Sequence, residues 1–197
     1  MSRVRWLFLA SAVLAGCLFS NTSQPPRFFA PGSAGTAYDP GDDRAETSDA
    51  GAPIQLRPVR GTAFLTERIV WRVSDVEYGQ YGARLWSELP ATYVQRALAA
   101  ALRRTPGLRL TGDVHAPALR VDVLAFEEVL APTHTSTVSL AAVLRDAKGR
   151  ELLDRTFTST APIDGDDPAL MAQAMGHALD EATADVAAAA AAALHVH

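Results

Sequence analysis

Cysteine is nearly absent from this chain, since one residue of the 197, Cys17, carries a thiol. A single cysteine excludes an internal disulfide and a zinc site built from thiolates. The chain also has no extended cluster of charges of one sign. Acids and bases are interspersed and the formal net charge is −4, so nothing indicates nucleic-acid binding. With 48% hydrophobic and 7% aromatic residues, the composition is typical of one soluble domain with a modest core.

Long apolar runs are lacking too, and the most apolar stretch is the short run 6–15 near the start. It is too short to cross a bilayer, which requires about 20 residues. Two arginines precede the run and small residues follow it, a pattern typical of a secretory signal peptide over 1–16. Ordinary signal peptidase prefers a small residue three positions before the cleaved bond, where this chain has Leu14.

The segment Leu14-Ala15-Gly16-Cys17 resembles the bacterial lipobox. The resemblance implies that Cys17 receives a diacylglycerol on its sulfur and an acyl group on its new amino terminus, with no other cofactor. Three acyl chains exceed what stable membrane anchoring requires. The alternative is that Cys17 is an unmodified residue of a discarded signal peptide. Leu18 follows the cysteine where an aspartate would imply retention in the inner membrane, so the resemblance implies the outer membrane.

Beyond the cysteine the composition divides the chain into a tether and a domain. Residues 17–53 are rich in Pro, Gly, Ser, Thr, Ala and Asp and show no apolar period, which predicts a lipidated, flexible tether. As a flexible coil its two ends would lie a root-mean-square distance of roughly 30–36 Å apart. The folded domain is predicted over 54–194, with a short tail at 195–197.

Alternating and helical apolar patterns predict the elements of this domain. Pro90 opens one helix, which Pro106 and Gly107 end, and Asp167 with Pro168 begins a second. Strands are predicted to begin at 54 and to cover 68–73, 77–86, 108–112 and 117–130. Two further strands form a hairpin around the turn 146–149, and the second of them extends to about residue 160. This order predicts an α/β fold, a mixed and largely antiparallel sheet packed against two main helices in a single domain.

No pattern in the chain indicates catalysis or a metal. Asp164 and Asp166 begin like a calcium loop, but the later positions of the loop lack the required glycine and glutamate, so helix capping is the better interpretation. His177, His195 and His197 form no ligand set. Nucleotide-binding and nucleophile motifs are absent as well.

Aromatic residues concentrate between 71 and 93 although the chain has few of them. One interpretation is packing between sheet and helix, and the other is an exposed rim that contacts a partner, because Trp and Tyr bury much area at interfaces. Tyr78 and Tyr81 are three residues apart, so on a strand they face opposite sides. The candidate partner-binding residues are Trp71, Tyr78, Tyr81 and Trp86.

Several of these segments together resemble the ABC-type transport auxiliary lipoproteins, the PqiC-like family. The similarity lies in the following stretches: Phe64-Leu65, Arg68-Ile69-Val70, Tyr78 with Tyr81, Trp86 leading to Pro90, and the closing strand and helix with Phe157, Ala174, Met175, Ala178 and Leu179. The chain departs from the pattern where Ser87, Glu88 and Leu89 separate the tryptophan from the proline.

The resemblance implies a lipoprotein without catalysis, anchored on the periplasmic face of the outer membrane. Its partners would be an MCE-domain protein and an ABC permease and ATPase that move lipid, with phospholipid as a further ligand. Two alternatives stay open. In the first, the chain is a periplasmic carrier that binds lipid in a groove. In the second, it is an assembly lipoprotein of another envelope export machine.

Overall fold

The computed structural model describes residues 25–32 and 51–195. The predicted signal peptide, Cys17, most of the predicted tether and His197 lie outside these residues. The elements, in chain order, are β1 (Arg27–Phe29), β2 (Ala52–Leu56), β3 (Arg60–Gly61), β4 (Arg68–Arg72), β5 (Tyr78–Trp86), α1 (Pro90–Arg104), β6 (Leu108–Leu110), β7 (Ala118–Val129), β8 (Thr135–Arg145), β9 (Glu151–Pro162) and α2 (Pro168–His195).

Strand β7 lies at the centre of one mixed sheet. β8 pairs with one edge of β7 in an antiparallel ladder, and β9 pairs antiparallel with β8. The other edge of β7 is shared along its length by β2, β3 and β4, all parallel to it. β2 pairs onward with β6, whereas β4 pairs with β5 and β5 with β1, so the sheet divides into two branches. Because the longest ladders are antiparallel, the predicted fold class is confirmed.

The β8–β9 hairpin forms where the alternating pattern predicts it. Val138, Leu140 and Ala142 are fully buried, while the residues between them are half-buried. Strand residues two apart share a face, so this alternation gives β8 one core-facing side. In the turn, the N–H of Gly149 donates to the carbonyl of Asp146, and Gly149 has φ +80°, a conformation that favours glycine.

Both helices also begin at the predicted residues. Pro90 is the first residue of α1, where its missing N–H is not required. The side chain of Asp167 accepts from the N–H of Ala169 and so caps α2. α2 continues through His195, so the prediction that this residue belongs to a tail is wrong. The alanine-rich sequence sustains the helix to that point.

The two helices pack on the same face of the sheet. Phe126 of β7 stacks on Tyr93 of α1, and its cross-strand neighbour Val138 lies on the same face. On that face too, the hydroxyl of Ser136 donates to the carbonyl of Met171 in α2. The opposite side of the sheet, here called the helix-free face, has no helix over it within the described residues. Neither helix is long and apolar enough to cross a membrane.

The prediction of a flexible tether over all of 17–53 is wrong at residues 27–29, which form strand β1 along the edge of β5. The N–H and hydroxyl of Ser87 both donate to the carbonyl of Phe29, and the N–H of Gly32 donates to the carbonyl of Ala172 in α2. A three-residue strand is too short to show a period, so the sequence pattern does not reveal it. β2 likewise begins at Ala52, two residues before the predicted boundary.

Candidate interaction surface

Strands β4 and β5 carry all four of the predicted partner-binding residues. Trp71 pairs with Gly79, and Arg72 pairs with Tyr78. Paired residues share a face, so Trp71 lies on the helix side of the sheet and Tyr78 on the helix-free face. Tyr81 is two residues after Gly79, the partner of Trp71, and so it also lies on the helix side, where it contacts Arg84. The prediction that Tyr78 and Tyr81 face opposite sides is therefore confirmed.

Trp86 belongs to the core. Its side chain is 1% exposed and meets Tyr93 and Phe126 edge-on, with ring centroids 6.3 Å and 5.3 Å away. The prediction that Trp86 contacts a partner is wrong, because a buried ring presents no area to another molecule. For this residue the packing interpretation is confirmed. The reason lies in the fold: α1 begins at Pro90, four residues after Trp86, and its first turn brings Tyr93 onto the Trp86 ring.

Tyr81 belongs to a polar cluster around the buried carboxylate of Glu128, which is 4% exposed. The Nε2 atom of His134 lies 2.7 Å from Oε1 of Glu128, and Nη1 of Arg84 lies 3.7 Å from Oε2. The guanidinium of Arg84 stacks 4.3 Å above the Tyr81 ring. Burial, and then hydrogen bonding to Glu128, raise the pKa of Tyr81 to about 12. The cation of this cluster is Arg84, and its contacts with Glu128 and Tyr81 join β5 to β7 within the domain.

The helix-free face carries an exposed aromatic patch, which we define as Phe64, Arg72 and Tyr78. Phe64 is 41% and Tyr78 49% exposed, and their rings meet edge-on at 5.1 Å. The Arg72 guanidinium lies 4.9 Å over the Tyr78 ring. Arg72 also donates two hydrogen bonds to the carboxylate of Glu127, from Nε at 2.5 Å and from Nη2 at 3.1 Å. That hydrogen bonding raises the pKa of Arg72.

Further contacts hold the side chains of the aromatic patch in one arrangement. Gln80 donates from its side-chain amide to the carbonyl of Phe64, 2.8 Å away, which holds the preceding loop against β5. Glu127 is 6% exposed and orients Arg72 from below, so the cation is held against Tyr78. Sequence reasoning missed Phe64 as a member of this surface. Its contact with Tyr78 depends on a loop fold that no local pattern reports.

The same residues offer little to bind a metal. Among the described residues, no three His, Cys, Asp or Glu side chains lie close enough together to hold an ion. The aromatic patch itself presents apolar and aromatic area and a cation already paired to a carboxylate, which are features of association surfaces.

Comparison with known proteins gives the family. The family model for the ABC-type transport auxiliary lipoprotein component matches residues 39–187, so the chain belongs to that family. Its resemblance to these proteins, inferred from sequence, is confirmed. The family is an auxiliary component of ABC-type transport, and its members are lipoproteins. A search of curated proteins found no match.

Two solved structures show the same fold. Protein XCC0632 from Xanthomonas campestris superposes with a TM-score of 0.71 at 19% identity, covering 86% of this chain and 98% of that one. The hypothetical protein CT253 from Chlamydia trachomatis gives 0.56 at 7% identity, covering 75% of this chain and 100% of that one. At such low identity the likeness is one of fold.

Proposed function

We propose that this chain is a non-catalytic lipoprotein of the outer membrane, facing the periplasm, that docks an MCE and ABC-type lipid transport system to that membrane. The observation that carries the proposal is the exposed aromatic patch in a member of an auxiliary transport family. In this proposal the chain holds other subunits at the membrane, a role that requires an attachment to the membrane and a surface for a partner.

The proposed attachment is the acylated Cys17. The lipobox ends at this residue and Leu18 follows it, which favours export to the outer membrane over retention. Three acyl chains, at about 0.8 kcal/mol for each buried methylene group, hold a protein on a bilayer without a membrane-spanning helix.

The proposed partner surface is the aromatic patch. Tyr and Arg are among the residue types most enriched in interface hot spots, and holding them in place beforehand lowers the entropy cost of binding. Edge-on packing with Phe64 and the bidentate bond to Glu127 supply that fixation here. Trp71 and Tyr81, half-buried on the helix side of the sheet, remain predicted partner contacts outside this patch.

The anchor is tested by processing and fractionation of the full chain in bacterial cells. The Cys17→Ser variant is expected to accumulate unprocessed and to leave the outer-membrane fraction. A second variant, Leu18→Asp, keeps the cysteine and is expected to move the processed protein to the inner membrane. Unchanged processing and fractionation of Cys17→Ser would contradict the proposed anchor.

The docking role is tested by co-purification of the full-length lipoprotein with an MCE-domain protein encoded beside it. Phe64→Ala and Tyr78→Ala are expected to reduce recovery of the partner about tenfold or more, as hot-spot truncations above about 1.4 kcal/mol do. Leu89→Ala is a matched control, because Leu89 is 45% exposed and lies outside the aromatic patch. Equal recovery with all three variants would rule out the aromatic patch as the docking surface.

A further inference from the structure

We infer that one end of the sheet, made by the turn 73–77 and the connection 130–134, rests on the surface of the bilayer. These two segments are here called the membrane-facing end. The inference rests on the acylation of Cys17 proposed above and adds an orientation to it. It follows from how short the covalent link to the anchor is and from the direction in which that link leaves the domain.

The link is short because β1 belongs to the sheet. Ten peptide units separate Cys17 from Arg27, and they reach at most about 36 Å when fully extended. From Arg27 onward the chain is held to the domain, through the pairing of β1 with β5 and through the bond from Gly32 to Ala172 of α2. The anchor therefore pulls on the domain at the start of β1.

The start of β1 points toward the membrane-facing end. β1 is parallel to β5, which begins at Tyr78 directly after the turn 73–77, so the chain enters β1 from the side of that turn. Arg27 itself pairs with Arg84, six residues and about 20 Å beyond Tyr78, a distance that the extended link can cover. Pro25 and Pro26 precede the strand, and proline favours extended backbone there and in the residue before it. The connection 130–134 lies beside the same turn, because the N–H of Leu130 donates to the carbonyl of Arg72.

The membrane-facing end exposes apolar side chains. Val76 is 90% exposed and Leu130 39%, while Tyr78, at 49%, borders them. The turn presents Val76 in a fixed way, because the hydroxyl of Ser74 accepts from the N–H of Glu77 on the far side of Val76. A projecting aliphatic side chain suits shallow insertion at the boundary between headgroups and acyl chains, while Tyr78 belongs to the adjoining aromatic patch.

Charge at this end indicates what kind of contact it makes. Asp75 and Glu77 flank Val76 and are exposed, whereas Arg72 is engaged by Glu127. Attraction to anionic lipid therefore does not drive the contact, and shallow burial of Val76 and Leu130 does. Such burial is weak by itself, so the acyl anchor provides the affinity and the membrane-facing end provides the orientation.

The opposite end of the sheet offers a matched control. Val114 is 67% exposed and lies in the segment that leads into the start of β7, while the connection 130–134 follows its end. The 12 residues of β7 separate the two ends by about 40 Å. The β8–β9 turn at the same opposite end carries the charged residues Asp146, Lys148 and Arg150.

The experiment uses the full, acylated protein in vesicles of phosphatidylethanolamine and phosphatidylglycerol. The sulfur of an acylated Cys17 is a thioether, so a cysteine introduced by Val76→Cys or Val114→Cys is the one thiol that a fluorescent NBD label can modify. Lipids with a nitroxide in the acyl chain near the headgroup are expected to quench the label at 76 and to leave the label at 114 bright. Emission from position 76 is also expected to shift to the blue when vesicles are added.

Quenching at 114 instead of 76, or at neither position, would overturn the inferred orientation. Flotation of the same labelled proteins with the vesicles reports the anchor independently. If the proteins float and position 76 stays unquenched, the proposed anchor stands and the orientation fails. If the acylated protein cannot be obtained because Cys17 is not processed, the proposed function fails first.

Discussion

The indole of Trp71 lies across the backbone of Gly79, its cross-strand neighbour on β5. A Cβ atom at Gly79 would come within 2.5 Å of Cζ2 of Trp71, closer than any van der Waals contact allows. The glycine therefore supplies the space that lets the tryptophan lie flat on the sheet next to Glu128.

Gly79→Ala is predicted to displace Trp71 and to destabilise the domain by about 1–3 kcal/mol, the usual cost of overpacking. Urea unfolding measures the loss, and tryptophan emission reports the displaced ring. Gly82→Ala is the matched control on the same strand, because no atom lies within 4 Å of a Cβ there. Equal stability of the two variants would contradict the close packing of Trp71 and Gly79.

Trp86→Ala is predicted to cost about 3–5 kcal/mol, because it removes a fully buried aromatic ring that packs edge-on against Tyr93 and Phe126. Tyr78→Ala, which truncates a half-exposed ring, is expected to lose much less. Urea denaturation of the two variants separates a core residue from a surface residue. If Tyr78→Ala proved as destabilising as Trp86→Ala, the assignment of Tyr78 to an exposed surface would be wrong.

The contrast between these two residues shows where sequence reasoning reaches its limit. Alternation places Tyr78 and Tyr81 on opposite faces, and the structure confirms it. Alternation does not say which face the helices cover, because that depends on packing between distant elements. The hairpin and both helices are predictable since their apolar periods run over ten or more residues. β1, with three residues, is held by bonds to β5 and α2 that no local pattern encodes.

The adjacent acids Glu127 and Glu128 make the same point. On a strand they point to opposite faces, and yet both are buried, at 6% and 4% exposure. Arg72 is 55 residues away from Glu127, and Arg84 also comes from a distant strand, whereas His134 lies six residues after Glu128. A sequence contains the charges that pair, but the choice of pairs follows from the parallel register of β4 against β7.

The Arg72–Glu127 pair is predicted to stabilise the domain although it lies near the surface. Arg72→Met leaves the Glu127 side chain, 8% exposed, without its bidentate partner, at a cost of about 1–3 kcal/mol. Arg96→Met is the control, because the pair of Arg96 with Glu88 is 37% and 41% exposed and contributes about 1 kcal/mol or less. Equal losses of unfolding free energy in urea would show that burial of Glu127 does not strengthen its pair.

Tyr81 is predicted to lose its proton later than an ordinary tyrosine. Burial and its hydrogen bond to Glu128 raise its pKa from 10.0 to about 12. Between these values the unfolded chain has lost the phenol proton while the folded domain keeps it. The contribution of Tyr81 to stability is therefore present in full below about pH 10 and declines as the pH rises toward 12.

A difference titration tests this prediction. The ultraviolet absorbance of phenolate is recorded against pH for the domain and for Tyr81→Phe, and the difference isolates one of the chain's four tyrosines. We expect the difference to rise near pH 12, and the stability of Tyr81→Phe to decline less steeply between pH 10 and 12. A difference centred near pH 10 would contradict the burial of the Tyr81 phenol beside Glu128 in solution.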